Sequence, residues 1–143
     1  VQIAIFIAAI CRQGSADAMI YDPQDMAAYM RLRSEIEKAM DPRRYTIDWL
    51  DGQVIAGAYR LFASAGAIII AEIRTYPTWA REVHGVVAAG DLDEIETELI
   101  PQAEEWGRSL GCIAAQIDSR DGWERVMKKH GYERLKTVIR KEF

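Results

Sequence analysis

At 143 residues, half of them apolar, the chain has the material for one hydrophobic core and is too short for two ordinary domains. A net charge of −4 excludes a molecule whose whole surface is built to coat nucleic acid or an anionic membrane. The two cysteines, Cys11 and Cys112, form no CxxC and have no neighbouring His pair, which argues against a structural disulfide or a zinc site and fits a reducing compartment.

Val1–Ile10 is apolar but too short to span a bilayer, and no basic segment precedes it as in a signal peptide. Val1–Ala9 reads as an added edge strand or a short helix, and Gln13–Asp17 as a loop. Met19 is a candidate natural start, which would make residues 1–18 an extension of a single domain spanning 19–143. An intact mass beginning at Met19 would support that, and one retaining Val1 would not.

Ala18–Tyr21 reads as a short strand. Asp22-Pro23 then starts a helix, because Asp caps and Pro is tolerated at the first helical position. Met26, Tyr29, Leu32, Ile36 and Met40 share one face of it. Asp41-Pro42 stops it. Thr46–Gly57 has two readings. Asp51-Gly52 between two apolar runs signals a hairpin. Thr46 as a cap, with Ile47, Leu50 and Val54 inward and Gly57 past the end, signals a helix.

Tyr59–Ala63, Ala67–Thr75 and Ala80–Ala89 read as an antiparallel meander, the second apolar enough at its start for a central strand. Asp91 caps a long acidic helix ending at Gly111, which Pro101 should kink or divide. Cys112–Ile117 is the next buried strand, so the pair flanking the helix must be parallel. A short basic helix follows, from Asp118 or Ser119 to Gly131. Tyr132–Phe143, with Leu135, Val138 and Ile139, reads as a terminal strand.

Charge is unevenly spread along this second half. Asp91–Glu105 holds seven acids and no base, and Arg120–Phe143 holds eight Lys or Arg against four acids. Solvated helix faces explain both runs. Arg120-Asp-Gly-Trp123 follows a strand at its C-terminal end, where α/β sheets bind ligands. Trp123 there can stack on a base and Arg120 can pair a phosphate, or the segment is a capping turn with Trp123 packed inward.

The order of elements resembles the GNAT acyltransferase fold, an α/β (α+β) architecture with an antiparallel meander followed by a parallel crossover. The run Glu104-Glu-Trp-Gly-Arg-Ser-Leu-Gly-Cys112 is similar to the end of that family's central helix. Gly131-Tyr132 is similar to its Gly-Phe after the last helix, and Asp22-Pro-Gln-Asp25 to its N-terminal signature. Tyr45-Thr-Ile-Asp48, Ala71-Glu-Ile-Arg-Thr-Tyr-Pro77, Gly90-Asp-Leu-Asp93 and Arg120-Asp-Gly-Trp123 resemble pieces of small phage and prophage members. The resemblance covers about Met19–Phe143 and implies the helical reading of Ile47–Ala56.

It also implies acetyl-CoA bound between the strands Ala80–Ala89 and Cys112–Asp118, with the backbone of Val86, Val87 and Ala88 pairing the pantetheine arm and no metal. The base for the amine would come from His84 and Glu82, with Glu72 on the neighbouring strand. The family's Gly-rich pyrophosphate loop falls on Asp91–Glu96, which puts Asp91, Glu94 and Glu96 where phosphates dock. The family's Tyr general acid falls on Met127, which cannot donate a proton.

Two function classes follow. One is an acetyltransferase acting by direct attack of a small-molecule or protein amine. The other is a non-catalytic binding protein with a phage or host partner, in the bacterial cytoplasm or on the virion. Nucleic-acid binding through Arg120–Lys141 is a third, weaker reading, and none of the three involves a membrane.

Overall fold

The computed structural model describes residues 22–143, so the expectations for the N-terminal strand and extension lie outside the described residues. Helix α1 (Pro23–Ala39) opens as its sequence requires, with the Asp22 carboxylate accepting the Gln24 N–H at 2.8 Å and Pro23 in the first turn. Tyr29, Ile36 and Met40 are buried on its inner face.

The ambiguous stretch is helical. Thr46 caps α2 (Ile47–Ile55) by accepting the Trp49 N–H, and Gly57 follows the last turn at a φ of 72°. Ile47, Leu50 and Val54 point into the core. The far side of α2 is tied to α1 through Asp51, which accepts the Tyr29 hydroxyl at 2.6 Å and the forked Arg33 guanidinium, also at 2.6 Å at the shortest. A hairpin would forfeit both the apolar stripe and this polar lock.

Among the described residues, four strands form one sheet in the order β1-β2-β3-β4: β1 (Arg60–Ala63), β2 (Ala67–Thr75), β3 (Arg81–Gly90) and β4 (Ala114–Ile117). The first two pairings are antiparallel and β3–β4 is parallel. Buried residues cover both faces of the sheet. Leu61, Ile68, Ile70 and Ala89 pack beneath α1 and α2. Phe62, Ile69, Ala71 and Val83 pack on the other side against the helices of the crossover and Met127.

The crossover runs through α3 (Leu92–Glu94), a π-helical turn (Ile95–Leu99) and α4 (Ile100–Ser109). Pro101 explains the division. It has no N–H to give Thr97, and its ring would strike that carbonyl in a regular α-turn, so the helix widens just before it. Gly107 lets α4 close on β3, since a Cβ there would lie 2.9 Å from Val83 Cγ1. Gly111, at a φ of 76°, ends the helix where the sequence expects.

The C-terminal part differs from expectation twice. The last helix, α5 (Trp123–Lys128), begins at Trp123 rather than at Asp118 or Ser119, because Gly122 at a φ of 109° breaks the backbone just before it. Residues 132–143 form no strand. Leu135, Val138, Ile139 and Phe143 are 77 to 115 % exposed, so their alternation neither joins the sheet at its β4 edge nor packs into a core. Among the described residues, no helix is long and apolar enough to cross a membrane.

Candidate active site

Two features of β3 create the site. The register shifts between Ile70 and Ala71, whose partners are Val87 and Gly85, so Val86 is an extra residue and β3 bends there. The parallel ladder with β4 ends at Gly85 opposite Ile117, while β3 continues to Gly90. The two strands part beyond that pair, and a cleft of about 710 Å³ opens between them. Val86, Val87 and Ala88 form one wall, and Arg120 and Trp123 stand on the other. The structure thus brings all five sequence-selected binding residues to one cleft. Trp123 also packs against the core, as the inward reading expects.

The sequence-selected catalytic residues lie on β2 and β3 just before the cleft opens. Register pairs Glu72 with His84, and His84 with Gln116 of β4. Tyr59 stands one position before the β1 ladder and completes the row on the face that α1 and α2 cover. His84 is buried, and its Nε2 is 3.0 Å from Glu82 Oε2. The Tyr76 hydroxyl donates to the same oxygen at 3.1 Å and lies 3.4 Å from Nε2. An ionised Glu82 therefore requires the proton of His84 on Nε2. Glu82 Oε1 takes part in none of the described hydrogen bonds. Burial and the bond to Glu82 push the Tyr76 hydroxyl above its ordinary range, so it stays a donor at neutral pH. Glu72 is turned to Arg74 at 2.7 Å and is not part of this cluster.

Tyr76 escapes a reading of the sequence because its Tyr-Pro turn looks like a simple connection, and only the fold of that turn returns its hydroxyl to β3. Gln116 and Asp118, joined at 2.9 Å, escape for a similar reason, since strand register sets their position.

The three acids at the crossover start have separate employments. Asp91 accepts the Glu94 N–H at 3.0 Å and so caps the helix. Glu94 turns back to the β1–β2 turn, accepting the Gly66 N–H at 2.7 Å and the Ser64 hydroxyl. Glu96 is buried and paired with Lys129, with His130 3.6 Å away, and the Lys129 bond holds its carboxyl below the usual range. Met127 is buried in the core, and the nearby Tyr132 hydroxyl donates to Glu104 at 2.9 Å in a separate cleft of about 370 Å³. No described group of three or more His, Cys, Asp or Glu is arranged to hold a metal ion.

No family model matches the chain, and no curated protein does. Solved structures do. The aminoglycoside N-acetyltransferase AAC(6')-Iy in complex with CoA matches with a TM-score of 0.61 at 18 % identity, over 83 % of this chain and 90 % of that one. The aminoglycoside 6'-N-acetyltransferase AAC(6')-IG from Acinetobacter haemolyticus matches with a TM-score of 0.61 at 16 % identity, over 86 % and 94 %. An acetyltransferase from Trypanosoma brucei matches with a TM-score of 0.58 at 15 % identity, over 86 % and 96 %. The architecture is therefore the GNAT one, a mixed α+β fold whose sheet passes from antiparallel to parallel pairing. At these identities the likeness is one of fold.

Proposed function

We propose that the chain transfers an acetyl group from acetyl-CoA to a primary amine. The observation that carries this is the parting of β3 and β4 after Gly85–Ile117, with a bulge at Val86 and the Glu82–His84–Tyr76 cluster on the strand immediately before it. The unpaired reach of β3 offers backbone groups to an extended amide-bearing arm. Aminoglycoside acetyltransferases of the same fold, one of them in complex with CoA, make this substrate pair the natural one.

In this reading the amine nitrogen attacks the thioester carbonyl carbon, the carbon–sulfur bond breaks, and the departing thiolate takes up the proton that the new amide nitrogen sheds. Only a neutral amine can attack, so a base must take the ammonium proton. Glu82 is that base, through Oε1, which none of the described hydrogen bonds occupies, and His84 is a positioning residue that holds the other oxygen. Tyr76 stabilises the same carboxylate. Met127 and Tyr132 do not supply a proton to the thiolate: the first has none, and the second gives its hydroxyl to Glu104.

The pyrophosphate end departs from the family pattern. The Asp91 cap occupies an N–H that a phosphate would use, and Asp91–Glu96 contains no glycine. Arg120, exposed at the cleft wall, is positioned to pair a phosphate there, and Lys38 lines the same cleft. The same departure favours a second reading, a non-catalytic binding protein of phage or prophage type that engages a virion or host protein.

Calorimetric titration with acetyl-CoA and CoA, backed by thermal shift, separates the two. The transferase reading expects saturable binding that Arg120→Glu weakens about tenfold or more through a reversed charge pair. No heat and no shift at millimolar ligand would leave the binding-protein reading.

A further inference from the structure

We infer that the acceptor carries a second cationic nitrogen, held about two strand spacings from the one that reacts; this rests on the acetyl-transfer reading above. The row Tyr59, Glu72, His84, Gln116 lies on one face of the sheet, the next row after apolar Leu61 and Ile70. Glu82 and its Oε1 mark the β3 end of this strip. At the β1 end Tyr59 meets the Trp49 ring edge-on, with centroids 6.1 Å apart, and Trp49 stacks on Tyr45 at 5.1 Å. Tyr45 and Trp49 keep 47 % and 37 % of their surface exposed, so ring area remains for a ligand.

Neighbouring strands lie about 4.8 Å apart, which puts Tyr59 about 10 Å from β3. The charges between favour a cation. Among the described ion pairs Arg74 pairs Glu72 and no Lys or Arg pairs Glu82 or Asp118, an excess of carboxylate that a single ammonium at Glu82 does not balance. Glu72 lies near enough to Tyr59 to raise its hydroxyl further beyond what burial does, so the acid and the aromatic wall form one surface. An ammonium group is drawn to an aromatic face within about 6 Å of its centroid. A diamine or polyamine extended along the strip meets Glu82 with one nitrogen and the Trp49–Tyr59 wall with the other.

The test compares hexamethylenediamine with hexylamine, which share chain length and differ in one nitrogen. Acetyl-CoA-dependent thiol release is measured for wild type, Trp49→Leu and Trp49→Phe. Tryptophan fluorescence is titrated with each amine in the absence of acetyl-CoA. The inference expects kcat/KM at least about tenfold higher for the diamine, mainly through KM. It also expects that advantage to vanish in Trp49→Leu and to survive in part in Trp49→Phe. The diamine alone should quench fluorescence in wild type, and the Trp49→Leu variant should lose that quenching. Equal turnover of the two amines overturns the inference and leaves acetyl transfer standing. No turnover and no quenching with either amine overturns it too, and the CoA titration then decides whether transfer itself has failed.

Discussion

Glu82 and His84 stand two residues apart on a strand, so they share a face whatever the rest of the fold does. Their separation to 3.0 Å, the shared Tyr76 hydroxyl and the burial of His84 need tertiary structure. Glu82→Gln keeps the shape and removes the proposed base, and kcat is expected to fall about 100-fold or more while the thermal midpoint stays near wild type. A variant that keeps its rate would remove Glu82 from the mechanism. His84→Ala tests positioning, because it leaves Oε1 in place but frees the carboxylate to turn. Its rate loss should be smaller than that of Glu82→Gln. Away from the site, Tyr29→Phe deletes the bond to Asp51 while Arg33 still pairs it, at a cost of about 1 kcal/mol in denaturant unfolding.

Among the elements, those whose signals are local follow the sequence closely. The Asp22 and Thr46 caps, the Pro101 interruption and the Gly111 stop act within one or two turns of chain, and each is found where it is read. The choice between hairpin and helix at Thr46–Gly57 is different, because both have valid local signals. Leu50 and Val54 against the sheet, and Asp51 against Arg33, decide it. Two glycines test how tightly the elements meet. At Gly90, φ is 102° and an added Cβ would lie 2.1 Å from the Gly66 carbonyl oxygen, so Gly90→Ala is expected to prevent folding or displace the β1–β2 turn. At Gly107 the obstruction is Val83 Cγ1 at 2.9 Å, and Gly107→Ala should destabilise by about 1–3 kcal/mol. A neutral Gly107→Ala in thermal unfolding would show that α4 has room to back away from β3.

For the molecule as a whole, acid should destabilise. Burial alone would raise the Asp51 carboxyl, but the hydrogen bonds from Arg33 and Tyr29 outweigh it and hold the group below its ordinary value. Glu96 is held low chiefly by Lys129. A carboxyl lowered by folding contributes fully above its unfolded value, about 4, and loses that contribution as pH falls through the folded one. Asp25, raised mainly by burial, works in the opposite sense and offsets part of this. The thermal midpoint should therefore drop steeply below about pH 4, and less steeply in Asp51→Asn. Parallel curves for the two proteins would remove Asp51 as a cause. The exposed C-terminal segment allows one more expectation: ending the chain at Arg134 should move the midpoint by less than about 2 °C, since the apolar side chains lost are not buried. A larger fall would mean that the segment packs in solution.

The sequence by itself determined the order of the elements from α1 to α5, apart from the choice at Thr46–Gly57, and the parallel crossover between β3 and β4. Those depend on caps, glycine and proline positions and the length of apolar runs, all of which act over a few residues. Tertiary structure alone decided that the terminal alternation finds no ladder, that Glu94 and Glu96 turn away to separate partners, and that Tyr76 joins Glu82. Each of these depends on which distant segment arrives opposite, and a chain read residue by residue carries no record of that. The aromatic wall at Tyr45, Trp49 and Tyr59 belongs with them, because strand register set it in line with His84 across two neighbouring strands.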